Sequence, residues 1–275
     1  LRVARKADVI VAALGESSEM SGESSSRSEI GIPDVQQNLL KELLKLGKPL
    51  VLVLFDGRPL TIEWESENVP AILNVWFGGS EAAYSIADVL FGDVNPSGKL
   101  AMTFPKNVGQ IPIYYAHKNT GRPLGGPDGT DKWFVKFRSN YLDVDNDPVY
   151  PFGYGLSYTE FEYSPVSLSS ATMSPEGIIK ASVSVKNTGK RAGKEVVQMY
   201  VQDVKASVSR TVRELKGFEK VSLEPGESKT VEFEIGIDAL EFWNQQMEYG
   251  AEAGKFKVYI GGDSTTSNSA EFELI

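Results

Sequence analysis

The stretch EMSGESSSRSEIGI, residues 19–32, concentrates side chains that can donate, accept or hold protons. It combines Arg27 and five serines with several carboxylates. Four acidic residues lie in it or just before it: Glu16, Glu19, Glu23 and Glu29. A carboxyl group acts as a general acid or base once its position and pKa suit the reaction. These residue types point to proton transfer or to hydrogen bonding of a polar ligand, and they leave open which glutamate acts.

The composition of the chain excludes several other chemistries. The sequence has no cysteine, which rules out thiol nucleophiles, thiolate metal sites and disulfides. A single histidine, His117, excludes a multi-histidine metal site and disfavours a Ser-His-Asp triad. The net charge of -9 repels a phosphate backbone and argues against a nucleic-acid partner. We therefore expect carboxylates to carry any chemistry, with no metal and no cofactor.

The start of the chain and its hydropathy suggest a piece of a larger protein. No run approaches the roughly 18 apolar residues that indicate a membrane helix, and the first residues do not resemble a signal peptide. The sequence begins LRVARKAD, with leucine rather than methionine, in a pattern typical of a helix end that leads into a strand. We expect that the N-terminus and further strands of the sheet lie upstream, and that no membrane is a partner.

The first half of the sequence alternates predicted strands and helices. Three short apolar runs are typical of parallel strands buried on both faces: residues 8–14, 49–55 and 70–77. Amphipathic spacing predicts one helix over Pro33–Leu46, ended by Gly47, and another over 80–92. Together these elements predict an α/β sandwich domain over residues 1–105 with a mostly parallel sheet.

The loop 15–32 leaves the carboxyl end of the first predicted strand. Loops that join a strand to a helix usually have about 2 to 6 residues, so this loop is about three times longer. Because ligand sites of parallel sheets lie beyond the carboxyl ends of the strands, we predict that the loop is functional. The alternative is a solvated surface loop in which Glu29 only places a charge at the helix entrance. Asp56 and Gly57, which follow the second strand, are interpreted as a turn.

The second half of the sequence has a different character. Residues 106–164 are rich in proline, glycine and tyrosine, and we interpret them as an ordered linker or extended segment. From 165 to 275, short alternating runs are separated by turn signals such as NTGKRAG, which predicts an all-β sandwich like fibronectin type III domains. Four side chains near its end are interpreted as packing residues rather than a binding face: Phe242, Trp243, Met247 and Tyr249.

Four segments together resemble the C-terminal half of glycoside hydrolase family 3, and particularly bacterial periplasmic β-glucosidases. They are AILNVWFGGSEAAYSIADVLFGDVNPSGKLAMTFP, YPFGYGLSYTEF, VVQMYVQD and ELKGFEKVSLEPGESKTVEFEI. The resemblance extends over essentially all of the sequence. It implies a (β/α)8 barrel, absent from this chain, followed by an α/β sandwich and a fibronectin type III-like domain. It also implies a periplasmic location.

The resemblance assigns the acid/base role to Glu23. In the family, the nucleophilic aspartate belongs to the barrel, and the acid/base glutamate lies on a loop of the second domain, commonly within Ser-Gly-Glu-Gly. The corresponding residues here are Ser21, Gly22, Glu23 and Ser24, so a serine replaces the second glycine and is expected to stiffen the loop. Gly22 is expected to permit a close approach of the backbone. Three side chains are expected to contact the sugar: Ser24, Ser25 and Arg27.

The implied function is the C-terminal part of a retaining β-glucosidase that removes terminal non-reducing β-D-glucosyl residues. Such enzymes need two carboxyl groups about 5 to 5.5 Å apart, so the fragment alone is expected to be inactive. A relative that acts on xylosides or arabinosides is one alternative, because sugar selection depends on the absent barrel. A non-enzymatic module that binds carbohydrate or a protein is another. Arg27 could also serve only to neutralise Glu19 or Glu29.

Overall fold

The computed structural model describes residues 1–123 and 136–275, which form two compact units. The first unit comprises Leu1–Val94, Thr103–Ile113 and Asp147–Tyr150. The second comprises Asn95–Met102, the described part of Tyr114–Asn146, and Pro151–Ile275. The predicted linker 106–164 contributes residues to both units, and its residues 124–135 lie outside the described part of the chain.

A three-stranded parallel sheet forms the centre of the first unit, as predicted. Its strands lie in the order β1 (Ile10–Gly15), β2 (Leu50–Phe55) and β3 (Ala71–Asn74). The accompanying helices are α1 (Asp34–Leu44), α2 (Glu63–Asn68) and α3 (Ala82–Phe91), of which α2 was not predicted. Gly15 pairs with Phe55, and Leu54 pairs with Asn74, so the carboxyl ends of all three strands lie at one edge of the sheet.

Helix α1 follows the predicted boundaries closely. Pro33 precedes its first turn with φ -52°, the value to which its ring restricts the backbone. Gly47 adopts φ 64° and donates its N–H to the Leu44 carbonyl at 3.0 Å, so it ends the helix as expected. Leu40 and Leu43 are buried and supply the packed face of the helix.

The prediction that the strands are buried on both faces is wrong for β3, in which no residue is buried, and for β1. Its side chains alternate between buried and exposed, with Ile10 and Ala12 inside and Val11 half exposed. Helix α3 likewise has no buried residue within the described part of the chain. An apolar run in the sequence shows which side chains favour burial. It does not show whether another element packs on each face of the strand or helix.

Two largely antiparallel sheets form the second unit, which confirms the predicted β-sandwich. The smaller sheet contains β4 (Phe161–Tyr163), β5 (Ser167–Leu168), β7 (Ile179–Asn187) and β10 (Ser228–Ile235). The larger sheet contains β6 (Thr172–Met173), β8 (Gly193–Asp203), β9 (Glu214–Leu223), β13 (Gly254–Gly261) and β14 (Ser269–Leu274). Alternate apolar residues fill one core, including Val183, Val231 and Val258.

A short hairpin in the second unit corrects the interpretation of its aromatic residues. The hairpin consists of β11 (Phe242–Trp243) and β12 (Tyr249–Gly250). Phe242 is buried as predicted, with 4% of its surface exposed. Trp243, Met247 and Tyr249 are 60%, 74% and 56% exposed, so the prediction that they pack inside is wrong. Trp243 follows Phe242 along the strand and therefore faces the opposite way, because strand side chains alternate.

None of the helices formed by the described residues has both the length and the apolar character needed to cross a membrane.

Candidate functional site

The 16–32 loop begins at a tightly held point at the end of β1. Gly15 has φ 134°, and a Cβ atom there would lie 1.9 Å from the carbonyl oxygen of Phe55, so only glycine fits. The side-chain amide of Gln36 on α1 accepts from the Gly15 N–H at 2.7 Å and donates to the Gly15 carbonyl at 3.0 Å. The strand end and the following helix are therefore joined directly across the base of the loop.

The first carboxylate of the loop, Glu16, is buried and is held by two arginines. Its side chain is 1% exposed. Its Oε1 atom accepts from Arg27 at 2.8 Å and lies 3.1 Å from Nε of Arg58, while its Oε2 atom accepts from the Gly57 N–H at 3.1 Å. A buried carboxylate is stable when it is paired and hydrogen-bonded in this way. Glu16 therefore acts as an anchor of the loop.

The same two arginines hold the loop backbone. Arg58 donates from Nη2 to the carbonyl oxygens of Met20 at 2.6 Å and Ser25 at 2.9 Å. Arg27 donates to the Gly31 carbonyl at 3.1 Å. Charged donors make stronger hydrogen bonds than neutral ones. The backbone is thus fixed on both sides of the segment that contains Glu23.

Glu23 lies at the exposed tip of this fixed segment. It makes no hydrogen bond or ion pair with any other described residue, so both of its oxygens are available to a ligand. Gly22 has φ 129° and Ser24 has φ 61°, values that L residues rarely adopt. A Cβ atom at Gly22 would have nothing within 4 Å, so the glycine is needed for its conformation and not for a close approach.

Three side chains predicted to bind sugar lie at different depths beside Glu23. Ser24 is exposed, in the left-handed conformation that a glycine would adopt without strain. Ser25 is partly buried, and its carbonyl is bound by Arg58. Arg27 pairs with Glu16, and not with Glu19 or Glu29, which are exposed. Its Nη1 and Nη2 groups already have protein partners.

A second buried carboxylate, Asp56, lies at the end of β2 and was interpreted from sequence only as part of a turn. It is 2% exposed, and burial, together with the charge of Glu16, raises its pKa from 3.8 to about 7. A hydrogen bond from Asn74 opposes this shift. With the Asn74 amide oriented to donate, its nitrogen lies 2.9 and 3.0 Å from the two Asp56 oxygens, and its oxygen accepts from Trp76.

Gly57 allows two further residues to meet over the end of β2. A Cβ atom at Gly57 would lie 1.9 Å from Ser21 Oγ and 2.6 Å from Cζ of Phe77. Phe77 is 74% exposed and follows the end of β3. Sequence reasoning missed Phe77 and Arg58. Their position directly after the two neighbouring strands is the signal that could have identified them.

An open cleft of about 430 Å³ lies elsewhere in the first unit. Its lining includes Glu29, Thr61, Trp64 and Glu65, but it does not include Glu23. No group of three acidic or histidine side chains among the described residues is arranged to hold a metal ion. The arrangement around Glu23 can donate or accept a proton at an exposed position, while the cleft does not enclose that carboxylate.

Known proteins match nearly all of the chain, which spans 35% of the length of the first two relatives named here. A periplasmic beta-glucosidase from Salmonella typhimurium is 56% identical over 275 residues, which is 100% of this chain. A beta-xylosidase from Formosa agariphila is 42% identical over 264 residues, 96% of this chain. The crystal structure of a beta-glucosidase from Listeria innocua in complex with isofagomine superposes with a TM-score of 0.93 and 45% identity. That superposition covers 99% of this chain and 38% of the other.

Two family models account for most of the sequence. The model of the fibronectin type III-like domain matches residues 195–264, within the second unit. The model of the glycosyl hydrolase family 3 C-terminal domain matches residues 1–158, more than half of the chain, and includes the loop that carries Glu23. The chain therefore belongs to glycosyl hydrolase family 3, of which it carries the C-terminal domain and a fibronectin type III-like domain.

Proposed function

We propose that the chain is the C-terminal part of a retaining β-glucosidase and that Glu23 is its general acid/base. The observation that supports this role is an exposed carboxylate, unpaired among the described residues, on a loop that Arg58 fixes on both sides. A proton donor must be free to meet its substrate, yet must also be held in position. Glu16 does not meet the first requirement, because its carboxylate is buried between two arginines.

The proposed reaction has two steps. In the first, an aspartate that the family resemblance places in the barrel attacks the anomeric carbon, and the bond to the departing oxygen breaks. Glu23 gives its proton to that oxygen. In the second, Glu23 takes a proton from water, and the water oxygen displaces the aspartate from the anomeric carbon. Two displacements at one carbon retain its configuration, and Glu23 returns to its protonated state.

The substrate pocket is proposed to be completed by structure outside this chain. Glu23 is exposed and does not line the 430 Å³ cleft of the first unit. Ser24 and Ser25 are proposed to contact sugar hydroxyls beside Glu23. A contact from Arg27 is proposed only through N–H groups that Glu16 and Gly31 do not already use, so its main contribution is to hold the loop.

The proposed substrate is a β-glucoside with a terminal glucosyl residue. Relatives named as beta-glucosidases come from Salmonella typhimurium and Acetivibrio thermocellus, and a Listeria innocua beta-glucosidase was crystallised with glucose. Two Formosa agariphila relatives are named as a beta-xylosidase and a putative beta-xylosidase, so a β-xyloside is the second candidate. A periplasmic location is proposed from the Salmonella relative.

The acid/base role is tested by substrates that differ in leaving group. The enzyme should be one that joins this chain to a barrel domain. In Glu23→Ala, hydrolysis of an alkyl glucoside should fall by about 10² to 10⁴, the usual contribution of a positioned acid. Formation of the glycosyl-enzyme from a dinitrophenyl glucoside should fall far less, because that group departs without a proton. Glu19→Ala and Glu29→Ala are the controls and should lower both rates alike or not at all. Equal losses on both substrates for Glu23→Ala would show that Glu23 is structural.

A further inference from the structure

The hairpin formed by residues 242–250 displays three large apolar side chains to solvent. Trp243 and Tyr249 face each other across its two strands, and their ring centroids are 5.3 Å apart with the planes inclined by 54°. Met247, at the turn, is 74% exposed. An isolated apolar side chain on a surface needs no explanation, whereas a contiguous exposed group marks a binding surface.

The turn that carries this group is internally braced. The Asn244 side-chain oxygen accepts from the backbone N–H groups of Gln246 at 2.9 Å and Glu248 at 3.0 Å. At the base of the hairpin, Phe242 is buried, and the guanidinium of Arg210 lies 4.3 Å from its ring centre. The exposed rings are therefore presented on a fixed support, which lowers the entropy lost when a ligand binds.

Met247 occupies a backbone position that favours glycine. Its φ is 61°, in the left-handed region that L residues adopt at a cost. A glycine would relieve this strain, and a polar residue would suit the exposure. The chain instead has a large apolar side chain that contacts solvent. Strained residues cluster at functional sites, which makes this turn position a candidate for ligand contact.

We propose that the hairpin 242–250 is a carbohydrate-binding platform for a β-linked pyranose polymer. The flat faces of a pyranose carry C–H groups, which pack on the electron-rich faces of aromatic rings. The exposed side chains of Gln245 and Gln246 make no hydrogen bond with other described residues and can donate to or accept from sugar hydroxyls. Because the two exposed ring centroids are 5.3 Å apart and the ring planes are inclined by 54°, the rings can contact two successive sugars of a twisted chain.

Protein partners fit this surface less well than a sugar chain does. A stable protein interface uses about 20 to 30 residues on each side, whereas the whole hairpin 242–250 has nine. A second copy of the chain would also bring two net charges of -9 together. The hairpin itself adds the acidic side chain of Glu248 next to Tyr249.

Affinity electrophoresis of the 275-residue chain in native gels that contain hydroxyethylcellulose tests the proposal without any hydrolysis. The polymer should retard the wild-type chain. Trp243→Ala should weaken that binding by about two- to tenfold, the range expected for one aromatic contact. Trp243→Phe should restore part of it. Phe218→Ala, which removes another exposed aromatic of the same unit, is the matched control and should migrate like the wild type.

Met247→Gly is a second test variant, in which thermal stability and polymer binding should change in opposite directions. It should raise the melting temperature, because the strained φ is relieved, and should weaken retardation by the polymer. The proposal is overturned if the polymer does not retard the wild-type chain, or if Trp243→Ala is retarded equally. It is also overturned if Trp243→Ala converts a dimer to a monomer by light scattering, since the surface would then bind a second copy.

Discussion

The guanidinium of Arg58 lies 3.1 Å from the buried carboxylate of Glu16 and at the same time binds the loop backbone on both sides of Glu23. One side chain therefore connects the end of β2 to the tip of the 16–32 loop. The arrangement separates two functions that the sequence placed in a single cluster of glutamates. Glu16 holds the loop, and Glu23 is left free at its tip.

Replacing Arg58 should release the loop. In Arg58→Ala, Glu16 keeps Arg27 but loses one charged partner, and two backbone carbonyls lose their donor. We expect the free energy of unfolding to fall by about 2 kcal/mol, the scale of hydrogen bonds to charged groups. Hydrogen exchange of amides 19–28 should accelerate. Lys45→Ala, which breaks an exposed ion pair with Glu42, is the control and should change stability by less than about 0.5 kcal/mol. Unchanged exchange in Arg58→Ala would contradict the role of the arginine.

Replacing Gly22 with alanine and replacing Ser24 with glycine should have opposite effects on the stability of the loop conformation. Gly22→Ala has ample space for its methyl group, but φ 129° strains any L residue, so we expect a cost of roughly 1 to 3 kcal/mol in loop conformation. Ser24→Gly removes strain at φ 61° and should be tolerated. Limited proteolysis within residues 19–28 measures the difference. Faster cleavage of Ser24→Gly than of Gly22→Ala would show that the loop does not adopt these dihedral angles.

Asp56 should make the stability of the first unit depend on pH. Its pKa is about 7 in the folded chain, above the ordinary value of 3.8, so the folded state binds the extra proton between these pH values. The free energy of unfolding contributed by this group therefore falls as pH rises from about 4 to 7. Asp56→Asn removes the titration. The free energy of unfolding of Asp56→Asn, relative to that of the wild type, should therefore increase by about 4 kcal/mol from pH 4 to pH 7, as measured by chemical denaturation. Parallel stability curves for the two proteins would contradict the raised pKa.

The 275-residue chain by itself should not hydrolyse p-nitrophenyl β-glucoside. A single acid/base carboxylate protonates a leaving group but does not form the glycosyl-enzyme, which needs a second carboxylate within about 5 to 5.5 Å. Release of nitrophenol is followed by absorbance, with the enzyme that contains the barrel as the positive control. Turnover by the purified chain, free of contaminating glycosidase, would require a nucleophile within these residues and would contradict the assignment.

Local patterns predicted the architecture because β7 buries alternate side chains and β2 is a short continuous apolar run that is largely buried. The contacts that define the site could not be predicted in the same way. Arg58 and Met20 are 38 residues apart and meet only because parallel strands end at one edge of the sheet. The burial of Asp56 depends on the same register. The alternating pattern of apolar residues also led to the wrong prediction that Trp243 packs inside. Such a pattern shows which residues share a face of a strand, but not whether another element covers that face.

Azide rescue of Glu23→Ala tests the central claim most directly, in an enzyme that joins this chain to a barrel domain. With a dinitrophenyl glucoside, the glycosyl-enzyme should form and accumulate, because the base for the second step is missing. Azide attacks without a base, so its addition should raise turnover and yield a β-glucosyl azide, identified by the coupling of its anomeric proton in NMR. The same substitution at Glu16, Glu19 or Glu29 should give no such product. If azide neither raises turnover of Glu23→Ala nor appears in a β-linked product, Glu23 is not the acid/base.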